Sequence, residues 1–113
     1  KNSCVMYESL NAGEQLDLPS KPTLSDGTAG GVEFGSITFE MCKEIIDDFT
    51  VVSEQEIAKG IHIGLEKNHQ LIEGAAGAAI AGFINQKEKF KGQTVVLVMC
   101  GGNISSAVLK SIL

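Results

Sequence analysis

At 113 residues the chain has room for one small domain or a piece of one, since domains run about 100 to 200 residues. Apolar side chains make up 43% and only 2 residues are proline, which excludes a chain too polar to fold. Nine lysines, no arginine and 14 acidic residues leave a net charge of −5, so no cationic footprint exists for nucleic acid.

The longest weakly polar run, Gly74 to Ile84, falls well short of the about 20 residues a membrane span needs and is expected to be a packed helix. The cysteines Cys4, Cys42 and Cys100 are odd in number and share no ligand spacing. That argues against a disulfide framework and a zinc site, and points to a reducing, cytoplasmic compartment. No basic segment followed by an apolar one opens the chain, and Lys1 rather than Met stands first, so the start is expected to be a cut.

In chain order, Val5, Met6, Tyr7 and Leu10 predict a short helix over Ser3 to Ala12, ended by Gly13 in a left-handed conformation. Glu14 to Gly35 holds both prolines and the glycines Gly27, Gly30, Gly31 and Gly35 with little periodicity, and is expected to be a long loop. Ser36 can cap a helix whose Ile37, Met41, Ile45 and Ile46 form one stripe. The β-branched run Phe49 to Val52 predicts a strand. It leads into a capping box, Ser53 to Glu56, and a helix to about Asn68. The alanines from Glu73 to Ile84 predict a second helix, with Gly77 and Gly82 allowing close backbone approach. Thr94 to Met99, apolar after its first residue, predicts a parallel strand covered on both faces. Cys100-Gly101-Gly102-Asn103 ends it, and Ser105 starts a last helix.

This order implies an α/β fold, a parallel sheet with helices on both faces. Two strands cannot supply neighbours on both edges of a fully apolar strand. The expectation is therefore an incomplete C-terminal portion of a larger domain, occupying residues 1–113 as a single partial domain.

Ligands of open parallel sheets bind beyond the carboxyl ends of strands, the place held here by Cys100 to Asn103. Two glycines there also suit a plain turn into a helix. Glu73 likewise suits either a site or an ordinary first helical turn, where the dipole favours its charge, and Ser25-Asp26-Gly27-Thr28 suits a simple turn. His62 and His69 have no partners at ligand spacing, and Cys4 and Cys42 read as small apolar fillers.

Taken together, SDGTAGG, IDDFTVVSEQEI, LIEGAAGAAIAG and VVLVMCGGN resemble the threonine and serine dehydratase family that depends on pyridoxal 5'-phosphate (PLP). That family has the tryptophan-synthase-β-like fold and includes serine racemase. The opening NSCVMYESLNAGEQLDLPSKPTLSDG also resembles it, so the likeness spans essentially the whole chain and is to the C-terminal third of such an enzyme.

The resemblance implies that Cys100, just before Gly-Gly-Asn, bonds the pyridine nitrogen of PLP, with Gly101 beside it. It implies that Glu73 is the carboxylate near the cofactor and that the Gly27 backbone borders the ring. A neutral partner does not enforce protonation of the ring nitrogen, which favours β-elimination over transamination. The implied reaction removes ammonia from L-threonine or L-serine to leave a 2-oxo acid. Serine racemase activity, or an inactive piece serving as a folding or association module, are the alternatives.

Several family parts have no counterpart. The lysine that joins PLP sits in a Ser-x-Lys motif, whereas Ser20-Lys21-Pro22 has the wrong spacing. The Ser-Gly-Gly-Gly-Gly phosphate loop is absent, Gly30-Gly31 and Gly101-Gly102 being too short. In members with a divalent cation, a carbonyl matching Ser3 and an Asp serve as ligands, but Val5 replaces that Asp, so no metal residues are assigned. The implied partners are the missing N-terminal segment, which carries the lysine, a small amino-acid substrate, and further copies in a homodimer or higher oligomer. This chain alone is expected to be inactive.

Overall fold

In the computed structural model, which describes residues 1–113, helix α1 (Val5–Ala12) ends as expected at Gly13, whose φ of 79° is left-handed. Ser9 is buried in α1, and its hydroxyl accepts from the Leu16 amide at 3.0 Å, turning the chain back along the helix. The following segment is loop except for a short 3₁₀ turn at Asp26–Thr28.

Helix α2 (Ile37–Ile45) begins where Ser36 accepts from the Thr38 amide at 3.3 Å. The stripe read from its sequence lies on the outer side: Ile37 is 73% exposed and Ile45 68%, while Phe39 is the residue that α2 buries. Spacing shows which residues share a face and not which face meets a neighbour. The only helix that α2 packs on is α1.

Helices α3 (Glu54–Asn68) and α4 (Gly74–Gln86) form the centre. The capping box is complete, Ser53 accepting from the Glu56 amide at 3.3 Å while Glu56 accepts from the Ser53 amide at 2.6 Å. Ile57 and Ile61 of α3 meet Ala76, Ile80 and Ala81 of α4, and Val52 and Ile72 complete the core. The two helices touch backbone to backbone: a Cβ on Gly60 would stand 2.2 Å from the Gly77 carbonyl oxygen. No side chain fits there. His69 closes α3 in a left-handed conformation, φ 54°, a structural role consistent with the sequence reading. Helix α5 (Ser106–Ile112) is capped by Ser105, which accepts from the Val108 amide at 3.2 Å, and it packs on α3.

Glu56 gives the protein an acid-sensitive brace. Hydrogen bonds from the Ser53 backbone and hydroxyl, then from the Asn85 amide at 2.8 Å, lower its pKa from 4.5 to about 2. A carboxyl whose folded pKa is depressed stabilises the fold above its unfolded value, and that contribution is lost as pH falls toward the folded value. We expect Glu56→Gln to lower the melting temperature at neutral pH, with the gap from wild type closing between pH 4.5 and about 2. A gap that persists at the bottom of that range would assign the loss to packing instead.

The predicted parallel sheet is not present in the chain. Neither Phe49 to Val52 nor Thr94 to Met99 forms a strand, and no other helix-free run pairs with them. A ladder needs a second backbone in register, and the only main-chain nitrogen that reaches a carbonyl of either run is that of Lys1, 2.7 Å from the Val52 oxygen. The Thr94 to Met99 run nevertheless alternates. Leu97 and Met99 pack on the core, whereas Val96 is 82% exposed and Val98 70%. The expected covering of both faces is thus observed on one, in a slab of 39 × 38 × 19 Å.

Candidate functional site

Glu73 precedes the first residue of α4 with extended backbone, φ −85° and ψ 175°, and its carboxylate caps none of the α4 amides. It serves the loop after Met99 instead. The Glu73 amide donates to the Gly101 carbonyl at 3.0 Å, and the Asn103 amide donates to Glu73 Oε2 at 3.0 Å. These two bonds fasten Gly101 to Asn103 onto residue 73 by both backbone and side chain.

The closeness of that fastening explains the glycines. A Cβ on Gly101 would stand 2.7 Å from the Glu73 carboxylate carbon, and one on Gly102 would stand 2.7 Å from the Leu71 carbonyl oxygen. Both lie below van der Waals contact: at Gly102 the obstacle is fixed backbone, and at Gly101 it is a carboxylate that would have to shift from the position where it holds Asn103, so the Gly-Gly pair is more than a turn into α5. Gly27 differs. Its Cβ would lie 3.7 Å from Glu73 Oε1, an ordinary contact, so the chain's own packing leaves space beside it that a side chain would fill.

Three of the four residues singled out from sequence, Gly27, Glu73 and Gly101, therefore meet at one place. The fourth, Cys100, is exposed next to Gly101, and its thiol bonds no atom of the chain. A cleft of about 290 Å³ opens alongside, lined by Thr23, Leu24, Asp26, Glu73, Asn103 and Ser105 among others. The Glu73 carboxylate beside the free α4 amides opposes a phosphate there, while a planar ring against Gly27 with a thiol donor at its edge suits the groups present.

The 23–27 segment is held from α3. Glu54 Oε1 accepts from the Thr23 hydroxyl at 2.8 Å and Glu54 Oε2 from the Leu24 amide at 2.7 Å. Ser25 is buried, its hydroxyl 2.6 Å from that of Thr28. The Leu24 carbonyl oxygen lies where a Cβ on Gly74 would come within 1.8 Å, so this segment presses on the start of α4. Sequence reading missed Glu54 and Thr23, and it gave Asn103 no bond to Glu73. Glu54 lies inside the Ser53–Glu56 capping box without a role in it, and its partners lie 30 and 31 residues away.

The remaining candidates are structural. His62 faces Glu66 of its own helix at 3.6 Å, and Cys4 and Cys42 are half-buried. Val5 is buried in apolar packing, and no three His, Cys, Asp or Glu side chains gather as a ligand set.

Comparison with known proteins places these observations. The profile of the pyridoxal-phosphate dependent enzyme family matches residues 1–101. The chain is 35% identical over 113 residues to the L-threonine ammonia-lyase of Thermotoga maritima, covering 100% of this chain and 28% of that protein. It is 36% identical over 99 residues to the biosynthetic L-threonine dehydratase of Staphylococcus aureus, covering 87% and 23%. Among solved structures, serine racemase from Dictyostelium discoideum superposes with a TM-score of 0.76 at 30% identity, over 89% of this chain and 32% of that one. Maize serine racemase superposes with a TM-score of 0.82 at 22% identity, over 98% and 36%, and shows the fold alone. The chain spans about a quarter to a third of the length of these relatives.

Proposed function

As this chain belongs to the family of pyridoxal-phosphate dependent enzymes, we propose that it is the C-terminal portion of the cofactor-binding domain of a threonine/serine ammonia-lyase. The observation that carries this reading is the meeting of Gly27 and Gly101, from separate stretches of sequence, on the carboxylate of Glu73, which itself lines the adjoining cleft. PLP, when bound, supplies the electron sink for removing the α-proton and the β-hydroxyl of the amino acid.

The chain's residues have distinct parts in this proposal. Cys100 would donate a hydrogen bond from its thiol to the ring nitrogen and leave that nitrogen unprotonated. Gly27 leaves open a space that a planar ring would occupy, and Glu73 fixes the Gly101 to Asn103 loop that presents Cys100. The phosphate and the lysine are assigned to the rest of the polypeptide, since Glu73 repels an anion at the start of α4 and no lysine lines this cleft. The alternation of Leu97 and Met99 inward with Val96 and Val98 outward supports a further step, in which this run joins a parallel sheet completed by that polypeptide. Association of copies through other faces, and a cytoplasmic location suited to three unpaired cysteines, complete the reading.

The net reaction removes ammonia from L-threonine or L-serine, the water lost from the β-carbon being regained on hydrolysis. Racemisation of serine on the same residues is the second reading, favoured by the 30% identity and TM-score of 0.76 to the Dictyostelium enzyme. The full-length enzyme carrying this chain, loaded with PLP, is expected to release equal amounts of ammonia and 2-oxo acid from L-threonine. D-serine formed from L-serine without 2-oxo acid would favour racemisation, and neither product from either substrate would overturn both readings.

A further inference from the structure

We propose that Glu54 is a positioning residue for the cofactor cleft, acting through the Thr23 to Gly27 segment; this rests on the cofactor site argued above. Its carboxylate is half-buried at the start of α3 and spends both oxygens on consecutive residues, Thr23 at 2.8 Å and Leu24 at 2.7 Å. Bidentate acceptance from two adjacent residues fixes the direction of a loop as well as its distance. The Thr23 hydroxyl in turn accepts from the Ser25 amide at 3.2 Å, so the clamp continues into the buried Ser25.

What the clamp holds is the wall of the cleft. Leu24 and Ser25 press on Gly74, where even a methyl group has no room, and Gly27 follows within contact of the Glu73 carboxylate. Thr23 and Leu24 line the cleft themselves. With Glu54 removed, nothing else bonds the Leu24 amide, and the Gly27 turn is held at its flanks, by Asn2 to the Pro22 carbonyl and by the Gly30 amide to Ser3, and no longer from α3. Glu54 is near neither Cys100 nor Glu73 in any hydrogen bond, so its effect is indirect.

The test compares Glu54→Ala, Glu54→Gln and Glu56→Ala in the full-length enzyme. PLP affinity, the visible circular dichroism of bound PLP and the urea midpoint are measured on each. Glu54→Ala is expected to weaken PLP binding about tenfold, the worth of one charge-assisted hydrogen bond, and to alter the dichroism. Glu54→Gln should fall between alanine and wild type, because its amide can accept from Leu24 and donate to Thr23.

Glu56→Ala, which breaks the capping box on the same turn, should lower the urea midpoint while leaving affinity and dichroism at wild-type values. Wild-type affinity and dichroism in Glu54→Ala would overturn the proposal, as would an equal change in Glu56→Ala. Should Glu54→Ala not fold, Glu54→Gln decides, and wild-type values in it would overturn the proposal. Wild-type enzyme with no PLP signal would overturn the cofactor site itself, which separates that failure from an unmoved Glu54 variant in an enzyme that binds PLP.

Discussion

Gly60→Ala is expected to destabilise the protein by about 3 kcal/mol, the upper end for overpacking a core. The new Cβ would stand 2.2 Å from the Gly77 carbonyl oxygen and 2.9 Å from its carbonyl carbon, and neither atom can rotate aside. The helices must separate, opening the contact among Ile57, Ile61, Ala76 and Ile80. Gly64→Ala is the comparison. Its Cβ would come 2.5 Å from Ile72 Cδ1 and 2.9 Å from Ile72 Cγ1, side-chain atoms that can give way where a backbone carbonyl cannot, and alanine gains about 1 kcal/mol of helix propensity over glycine. Urea unfolding should therefore place Gly64→Ala within about 1 kcal/mol of wild type. Equal losses at the two positions would show that the α3–α4 contact yields readily.

The second large effect is expected at Cys100 in the full-length enzyme. Cys100→Ser keeps a neutral donor at the same place and should retain activity within about threefold, while Cys100→Asp should lower elimination about a hundredfold, near 2.7 kcal/mol of barrier. A carboxylate holds a ring nitrogen protonated and deepens the electron sink, which favours transamination. Because Cys100 is exposed and bonds nothing in this chain, neither substitution breaks a contact within it. Equal elimination rates in the two variants would refute the assigned role.

Elements specified by neighbours a few residues apart were legible in the sequence. The Ser53–Glu56 box, the Gly13 stop and the Ser36 and Ser105 caps all close their bonds within one turn. The strands were misread, because Thr94 to Met99 has the composition of a strand while no second run of this chain pairs with it. The side on which α2 buries was also hidden: periodicity grouped Ile37, Met41 and Ile45, yet Phe39 alone reaches the interior.

The candidate site shows the same division. Residue types and spacing left Glu73 and the Gly-Gly pair as ordinary helix and turn chemistry, and the family resemblance singled them out. The geometry then supplied a reason for Gly101 that no spacing contains, its 2.7 Å approach to a carboxylate 28 residues earlier in number. Glu54 had no signal of its own, since its two partners precede it by an entire loop and helix.

The bare contact of Gly60 on Gly77 has a mechanical meaning as well. Side chains between two helices act as a compliant layer that absorbs small displacements by changing rotamer, and here that layer is missing at the crossing. Helices α3 and α4 are thus coupled stiffly, like two bars welded where they cross. Glu54 is carried on one bar and Glu73 on the end of the other, with the Leu24 to Gly27 segment spanning them. A force that tilts either helix is passed to the other directly through backbone at Gly60 and Gly77, and so reaches the elements that carry both carboxylates.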